Sequence, residues 1–150
     1  MLTVEDQAPN FTLNNENGDP ITLTDLKGKK IILYFYPKDN TPGCTKQAVA
    51  FTEQLKEFNE KNTVIFGVSK DSIQSHQNFI KKHNLTISLL SDPDGTVCEQ
   101  YGVWKEKKNY GKTYMGIVRS TFLIDETGKI KKIWNNVKVD GHVETVNNSI

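Results

Sequence analysis

Ile31-Ile32-Leu33-Tyr34-Phe35-Tyr36-Pro37-Lys38-Asp39-Asn40-Thr41-Pro42-Gly43-Cys44-Thr45 is the stretch that decides the fold of this chain. Its first six residues are β-branched, aliphatic or aromatic and carry no charge, the pattern of a strand buried on both faces. Pro37 ends that strand. After the loop Lys38–Gly43, apolar residues return at Ala48, Phe51, Leu55 and Phe58, in steps of three and four, which predicts a helix to about Lys61. Cys44 therefore stands where a buried strand passes into the first turn of a long helix.

The alternation continues in both directions. Downstream, Val64–Val68 reads as a second buried strand. Asp71 or Ser72 is a candidate cap for a helix carrying Ile73, Phe79 and Ile80. Ile87–Leu90 is a third strand, and Ser91-Asp92-Pro93-Asp94-Gly95 a turn opening a short helix through Val97, Cys98 and Tyr101. The polar stretch Lys105–Gly116 reads as an exposed loop. Ser120–Asp125 and Lys129–Trp134 read as a hairpin around Glu126-Thr127-Gly128, and a last helix is expected from Gly141 to the end. Upstream, Asn10–Leu13 and Ile21–Leu23 flank Asn17-Gly18 as a short hairpin. Strands alternating with helices imply parallel βαβ units, and the closing strand–strand–helix adds an antiparallel edge. The expected architecture is an α/β, thioredoxin-like sandwich with a mixed central sheet, helices on both faces and an N-terminal hairpin, built as one domain over residues 1–150.

The chain has 150 residues, 36% of them hydrophobic, which suits one domain with a packed core. Its 19 basic and 18 acidic residues leave a net charge of +1, which argues against a nucleic-acid partner and against a polybasic membrane anchor. No apolar run approaches the roughly 18 residues of a transmembrane helix. Met1–Asp6 lacks the basic head and apolar stretch of a signal peptide. Two cysteines are too few for a disulfide framework, so the expectation is a soluble cytoplasmic protein with reduced thiols.

Chemistry concentrates at Cys44. In open α/β sheets, ligands bind at the edge where strands pass into helices. Unpaired N–H groups and the positive end of the helix dipole favour a thiolate there. An ordinary cysteine has a pKa of about 8.5, and bringing it to about 6 takes roughly 3.4 kcal/mol. A helix terminus supplies only ~0.3–2 kcal/mol. An arginine at ~4 Å adds on the order of 4 kcal/mol at an effective dielectric near 20. Arg119 is the only arginine in the chain and stands at the start of the strand Ser120–Asp125, on the same sheet edge. Its planar fork can hold a thiolate and a substrate oxygen together. Thr41 is placed to donate its hydroxyl toward the same spot, Pro37 to shield it, and Pro42-Gly43 to let backbone approach closely.

Each feature has a plainer reading: a small buried cysteine, a surface arginine, a capping threonine, prolines as loop punctuation. Their conjunction on one chemical task favours the reactive site. Rival enzyme readings lack their residues. No second thiol has C-x-x-C spacing to Cys44, and Ala50 stands where a phosphatase-like site needs an arginine. His76 and His83 lie on a polar helix and read as solvated surface groups rather than as the base of a cysteine hydrolase.

Pro37-x-x-x-Thr41-x-x-Cys44 resembles the active-site signature of the peroxiredoxins. Thr41-Pro42-Gly43-Cys44-Thr45 is similar to the subgroup called bacterioferritin comigratory protein or peroxiredoxin Q. Ala8–Phe11, Asp25–Lys29, Tyr34–Pro37, Ser91–Gly95 and Arg119–Asp125 extend the resemblance over nearly the whole chain. It implies a thiol-dependent peroxidase in which Cys44 attacks a peroxide and becomes a sulfenic acid. Arg119 would stabilise the thiolate, Thr41 would hydrogen-bond the peroxide, and Pro37 would screen the sulfenate. Gln47 would support Arg119 from behind. No metal, flavin or haem is implied. Many members of this subgroup carry a resolving cysteine five residues after the first; here that position is Val49. Cys98, in the short helix after Asp94-Gly95, is expected to be a core residue, with a resolving role as the alternative. The expected mechanism is therefore one-cysteine, with thioredoxin, glutaredoxin or a low-molecular-weight thiol as reductant, and the expected state a monomer. A non-catalytic or chaperone-like interaction domain on the same scaffold is the competing reading.

Overall fold

The elements follow in the order β1 (Thr12–Asn14), β2 (Pro20–Thr22), a 3-10 turn (Leu23–Leu26), β3 (Lys30–Phe35), α1 (Pro42–Glu60), β4 (Thr63–Ser69), α2 (Ile73–His83), β5 (Ser88–Ser91), α3 (Thr96–Gln100), β6 (Trp104–Asn109), β7 (Lys112–Ile117), β8 (Ser120–Ile124), β9 (Ile130–Trp134) and α4 (His142–Asn148). The structure is a computed structural model and describes residues 1–150. Seven strands form one mixed sheet in the order β2-β1-β5-β4-β3-β8-β9. β3, β4 and β5 are parallel, as βαβ crossovers require, while β8, β9 and the N-terminal hairpin are antiparallel. The thioredoxin-like α/β sandwich expected from the sequence is the fold observed.

The period of two along β3 divides the core. Ile31, Leu33 and Phe35 face one side, with Val97, Cys98, Tyr101, Phe122 and Ile124. Ile32, Tyr34 and Tyr36 face the other, with Cys44, Ala48, Phe51 and Phe58 of α1, Phe79 of α2, and Val143 and Val146 of α4. Helices thus cover both faces, and the two cysteines lie on opposite sides of the sheet.

Gly67 on β4 is paired with Tyr34. A Cβ at Gly67 would stand 2.7 Å from Tyr34 Cζ and 2.8 Å from Leu89 Cδ2, inside contact distance. The tyrosine ring lies across the space that glycine leaves, stacked on Phe51 at 4.6 Å. Gly67→Ala is expected to destabilise the fold by about 1–3 kcal/mol through overpacking, read as a lower urea midpoint at unchanged m-value.

Two readings of the sequence are corrected. Lys105–Gly116 is not a loop. Its residues form the ladder β6–β7, in register from Trp104 opposite Ile117 to Asn109 opposite Lys112. Tyr110 and Gly111 close it with φ of 52° and 77°, the backbone hand that suits a two-residue hairpin turn. The ladder stands apart from the main sheet and is solvated along most of its length, so alternation of apolar residues is missing. His76 is not a surface group either: it is fully buried on α2, whereas His83 is half-buried, edge-on to Phe79. The α2 cap is Ser72, whose hydroxyl accepts from the Ser75 N–H at 3.1 Å. No helix is long and apolar enough to cross a membrane.

Candidate active site

Antiparallel pairing brings the site together. Phe35, the last residue of β3, lies opposite Ser120, the first of β8. The exit of β3 toward Cys44 and the entry of β8 after Arg119 therefore share one edge of the sheet. Arg119 is fixed at its backbone by the Val137 N–H, which donates to its carbonyl at 2.9 Å.

Cys44 is the third residue of α1 and 2% exposed. Pro42 opens the helix, where its missing N–H costs nothing. Thr41 occupies the cap position but its side chain makes no capping bond. First-turn N–H groups thus remain available around Cys44, at the positive end of the helix. The Thr41 hydroxyl instead donates to the Lys38 carbonyl at 2.8 Å. This differs from the donation toward Cys44 expected from the sequence. With its proton committed to Lys38, the Thr41 oxygen is left as an acceptor.

The half-buried Arg119 uses both arms of its fork. Nη2 donates to Cys44 Sγ at 3.3 Å, and Nη1 donates to Gln47 Oε1 at 2.6 Å. Gln47 is fully buried one turn beyond Cys44 and orients the guanidinium, while its own Nε2 has no partner. Gly43 lies against the guanidinium: a Cβ there would stand 3.3 Å from Arg119 Nη2, a tight contact that the arginine would have to give way to by a few tenths of an ångström. Pro37 stands half-buried two residues beyond the end of β3. The structure thus joins Cys44, Arg119 and Gln47 in one hydrogen-bonded chain, with Gly43 against it and Thr41 and Pro37 on the adjoining loop.

Cys98 is not part of this group. It is fully buried across the sheet, and burial, then the neighbouring Asp92, push its thiol far above the ordinary range. Two further residues lie near the site without a role assigned from the sequence. Tyr34 is buried with an unpartnered hydroxyl, and burial followed by the nearby Cys44 pushes its phenol well up. Its place in an apolar strand gives it the look of a core residue. His142, at the start of α4, meets the Thr121 hydroxyl at 2.8 Å through Nε2. Burial first, then the Arg119 charge, push it down to about 4.

The depressed His142 makes the fold acid-sensitive. The unfolded chain takes up this proton near 6.5, the folded chain only near 4. The stability contribution is complete above the ordinary histidine range and is lost as pH falls toward 4. Unfolding by urea is expected to become easier by roughly 2 kcal/mol across that window, and His142→Gln to flatten the dependence.

A protein-family model described as the AhpC/TSA family matches residues 4–133. The chain is 54% identical over 145 residues to a putative peroxiredoxin bcp of Coxiella burnetii, covering 97% of this chain and 96% of that protein. It is 50% identical over 144 residues to peroxiredoxin Bcp of Bacillus subtilis, covering 95% and 92%. Its fold is similar to that of the bacterioferritin comigratory protein of Xanthomonas campestris, with a TM-score of 0.88 and 41% identity over 93% of this chain and 88% of that one. The X. campestris structures bear on alkyl peroxide reduction, through a trapped intermediate and ligand complexes.

Proposed function

The chain belongs to the AhpC/TSA family and is a thiol-dependent peroxidase of the peroxiredoxin Bcp type, and from that premise we propose that Cys44 is its nucleophile, held by Arg119. The observation that carries this reading is the 3.3 Å bond from Arg119 Nη2 to Cys44 Sγ at the start of α1. The sulfur attacks one oxygen of ROOH. An S–O bond forms as the O–O bond breaks. Cys44 is oxidised to a sulfenic acid, and the leaving oxygen takes a proton to give ROH. Arg119 stabilises the anionic sulfur before attack and the charge on the peroxide oxygens during it. Thr41 accepts the hydroperoxide O–H, Pro37 limits access of water to the sulfenate, and Gly43 and Gln47 keep the guanidinium in place. Hydrogen peroxide and organic hydroperoxides both fit this chemistry, which engages only the O–O group.

The catalytic cycle closes through an external thiol. Val49 occupies the nearby resolving position, and Cys98 is separated from Cys44 by the sheet. A partner thiol attacks the sulfenic acid; an S–S bond forms as the S–O bond breaks, and the sulfenic hydroxyl leaves with the thiol proton as water. A second thiol then cleaves the mixed disulfide and returns Cys44. Thioredoxin is the reductant proposed, with glutaredoxin or a small thiol as alternatives, in a reducing cytoplasm where both cysteines stay free. The acting unit proposed is a monomer of one domain. The test is mass spectrometry after one equivalent of peroxide. The reading expects Cys44 sulfenic acid, trapped by an external thiol as a mixed disulfide. A Cys44–Cys98 disulfide in stoichiometric yield would overturn the one-cysteine mechanism.

A further inference from the structure

The loop carrying Pro37 and Thr41 is held by groups that lie outside the site. Asp39, midway between them, is 5% exposed. Its Oδ1 accepts from the Tyr36 hydroxyl at 2.6 Å. Its Oδ2 accepts from the Ser75 hydroxyl at 2.8 Å and faces His76 Nδ1 at 2.7 Å. The Asp39 N–H donates to Asp71 Oδ2 at 2.8 Å, and that same oxygen accepts from Ser69 Oγ at 2.7 Å. His76 Nε2 lies 3.0 Å from the Leu90 carbonyl. A carbonyl only accepts, so Nε2 carries a proton, and the ring and the Asp39 carboxyl hold a second one between them. Tyr36 just past β3, Asp71 between β4 and α2, and Ser75 and His76 on α2 thus converge on a single loop residue five positions before Cys44.

Asp39, Asp71 and His76 bring one possible ligand atom each within 4.8 Å of one another. Those atoms are occupied by the hydrogen bonds above, and the cluster gives no reason to assign a cation. Its geometry serves the loop instead. A buried carboxylate is costly unless its oxygens are all met by donors, so the loop is stable only in the conformation that meets them. Removing the ring leaves that carboxylate short of a donor and releases the loop. The Cys44 sulfur is governed separately, by Arg119 and the first turn of α1, and none of the Asp39 contacts touches either.

We propose that His76 is a positioning residue for peroxide reduction, clamping Asp39 so that Thr41 and Pro37 stay in place beside Cys44. The proposal rests on the reading of Cys44 as the nucleophile. It separates two quantities that a general loss of structure would move together. Reaction of Cys44 with hydrogen peroxide needs the loop, because the peroxide must be bound and oriented. Alkylation of Cys44 by iodoacetamide needs a reactive and accessible sulfur but no oriented peroxide.

The experiment measures both second-order rate constants in His76→Phe, which keeps an aromatic ring and removes both ring nitrogens. The expected result is a fall of about tenfold or more with peroxide and no fall with iodoacetamide. Tyr36→Phe and Ser75→Ala each remove one donor to Asp39 and leave the rest. Each is expected to lower the peroxide constant by about threefold to tenfold with alkylation unchanged, and these two decide the matter should His76→Phe not fold. A peroxide constant within twofold of the parent in the folded variants overturns the proposal. So does a parallel fall of both constants, which places the effect on the sulfur rather than on the loop. Failure of the Cys44 reading itself shows separately, as turnover that survives Cys44→Ser.

Discussion

Cys44→Ser is expected to abolish thiol-driven peroxide consumption, a loss of about 10⁴-fold or more, while Cys98→Ser leaves turnover within about twofold of the parent. A serine hydroxyl in the same place stays protonated and has no sulfenic acid to form, so neither attack nor resolution proceeds. Arg119 and the start of α1 offer the same positive environment to either atom, and the difference between them is the chemistry of the atom itself. Cys98 is the internal control. It is buried on the far face of the sheet with Val97, Tyr101 and Phe35. Burial and Asp92 keep its thiol protonated. A Ser there is tolerated because its hydroxyl keeps Asp92 as an acceptor, as the thiol does, and the backbone bond from the Cys98 N–H to Asp92 Oδ2, 2.9 Å long, is retained. Peroxide consumption coupled to a dithiol reductant reads both variants. Retention of a hundredth of parent activity in Cys44→Ser, or a tenfold loss in Cys98→Ser, contradicts the assignment of roles.

Arg119→Ala comes next in size, an expected fall of about 10²–10³-fold in the rate constant of Cys44 with peroxide. A guanidinium in contact with an anionic sulfur contributes on the order of 4 kcal/mol at an effective dielectric near 20, less where solvent enters the half-buried site. Its loss also strands Gln47, whose Oε1 then has no donor in addition to its unpartnered Nε2. Arg119→Lys keeps the charge and loses the fork. One ammonium cannot reach Cys44 Sγ and Gln47 Oε1 with the fixed separation of two guanidinium nitrogens. Recovery is therefore expected to be partial, about tenfold above alanine and still tenfold or more below the parent. Full recovery by lysine would show that charge alone matters and that Gln47 orients nothing.

Much of this site was legible because the run Ile31–Tyr36 and the three-and-four spacing from Ala48 to Phe58 fix where a strand ends and a helix begins. A cysteine at that junction and a single arginine at the head of another strand then needed only an antiparallel pairing to meet. What escaped has specific causes. The β6–β7 ladder has no apolar face, so the alternation that marks a half-buried strand is absent, and only Tyr110-Gly111 signals its turn. His76 falls three residues from both Ile73 and Phe79, in the buried stripe of α2, but its polarity suggested solvent. Its partners Asp39 and Leu90 come from distant parts of the chain, which no local pattern reports. The direction of the Thr41 hydroxyl depends on the placement of the Lys38 carbonyl, a feature of backbone geometry rather than of residue type.

The central claim is that Arg119, bonded to Cys44 Sγ at 3.3 Å, raises the reactivity of that sulfur. Alkylation of Cys44 by iodoacetamide at neutral pH, in a Cys98→Ser background, tests it most directly. The rate is expected to fall about tenfold in Arg119→Ala relative to the parent. A rate that is the same with and without Arg119 contradicts the claim.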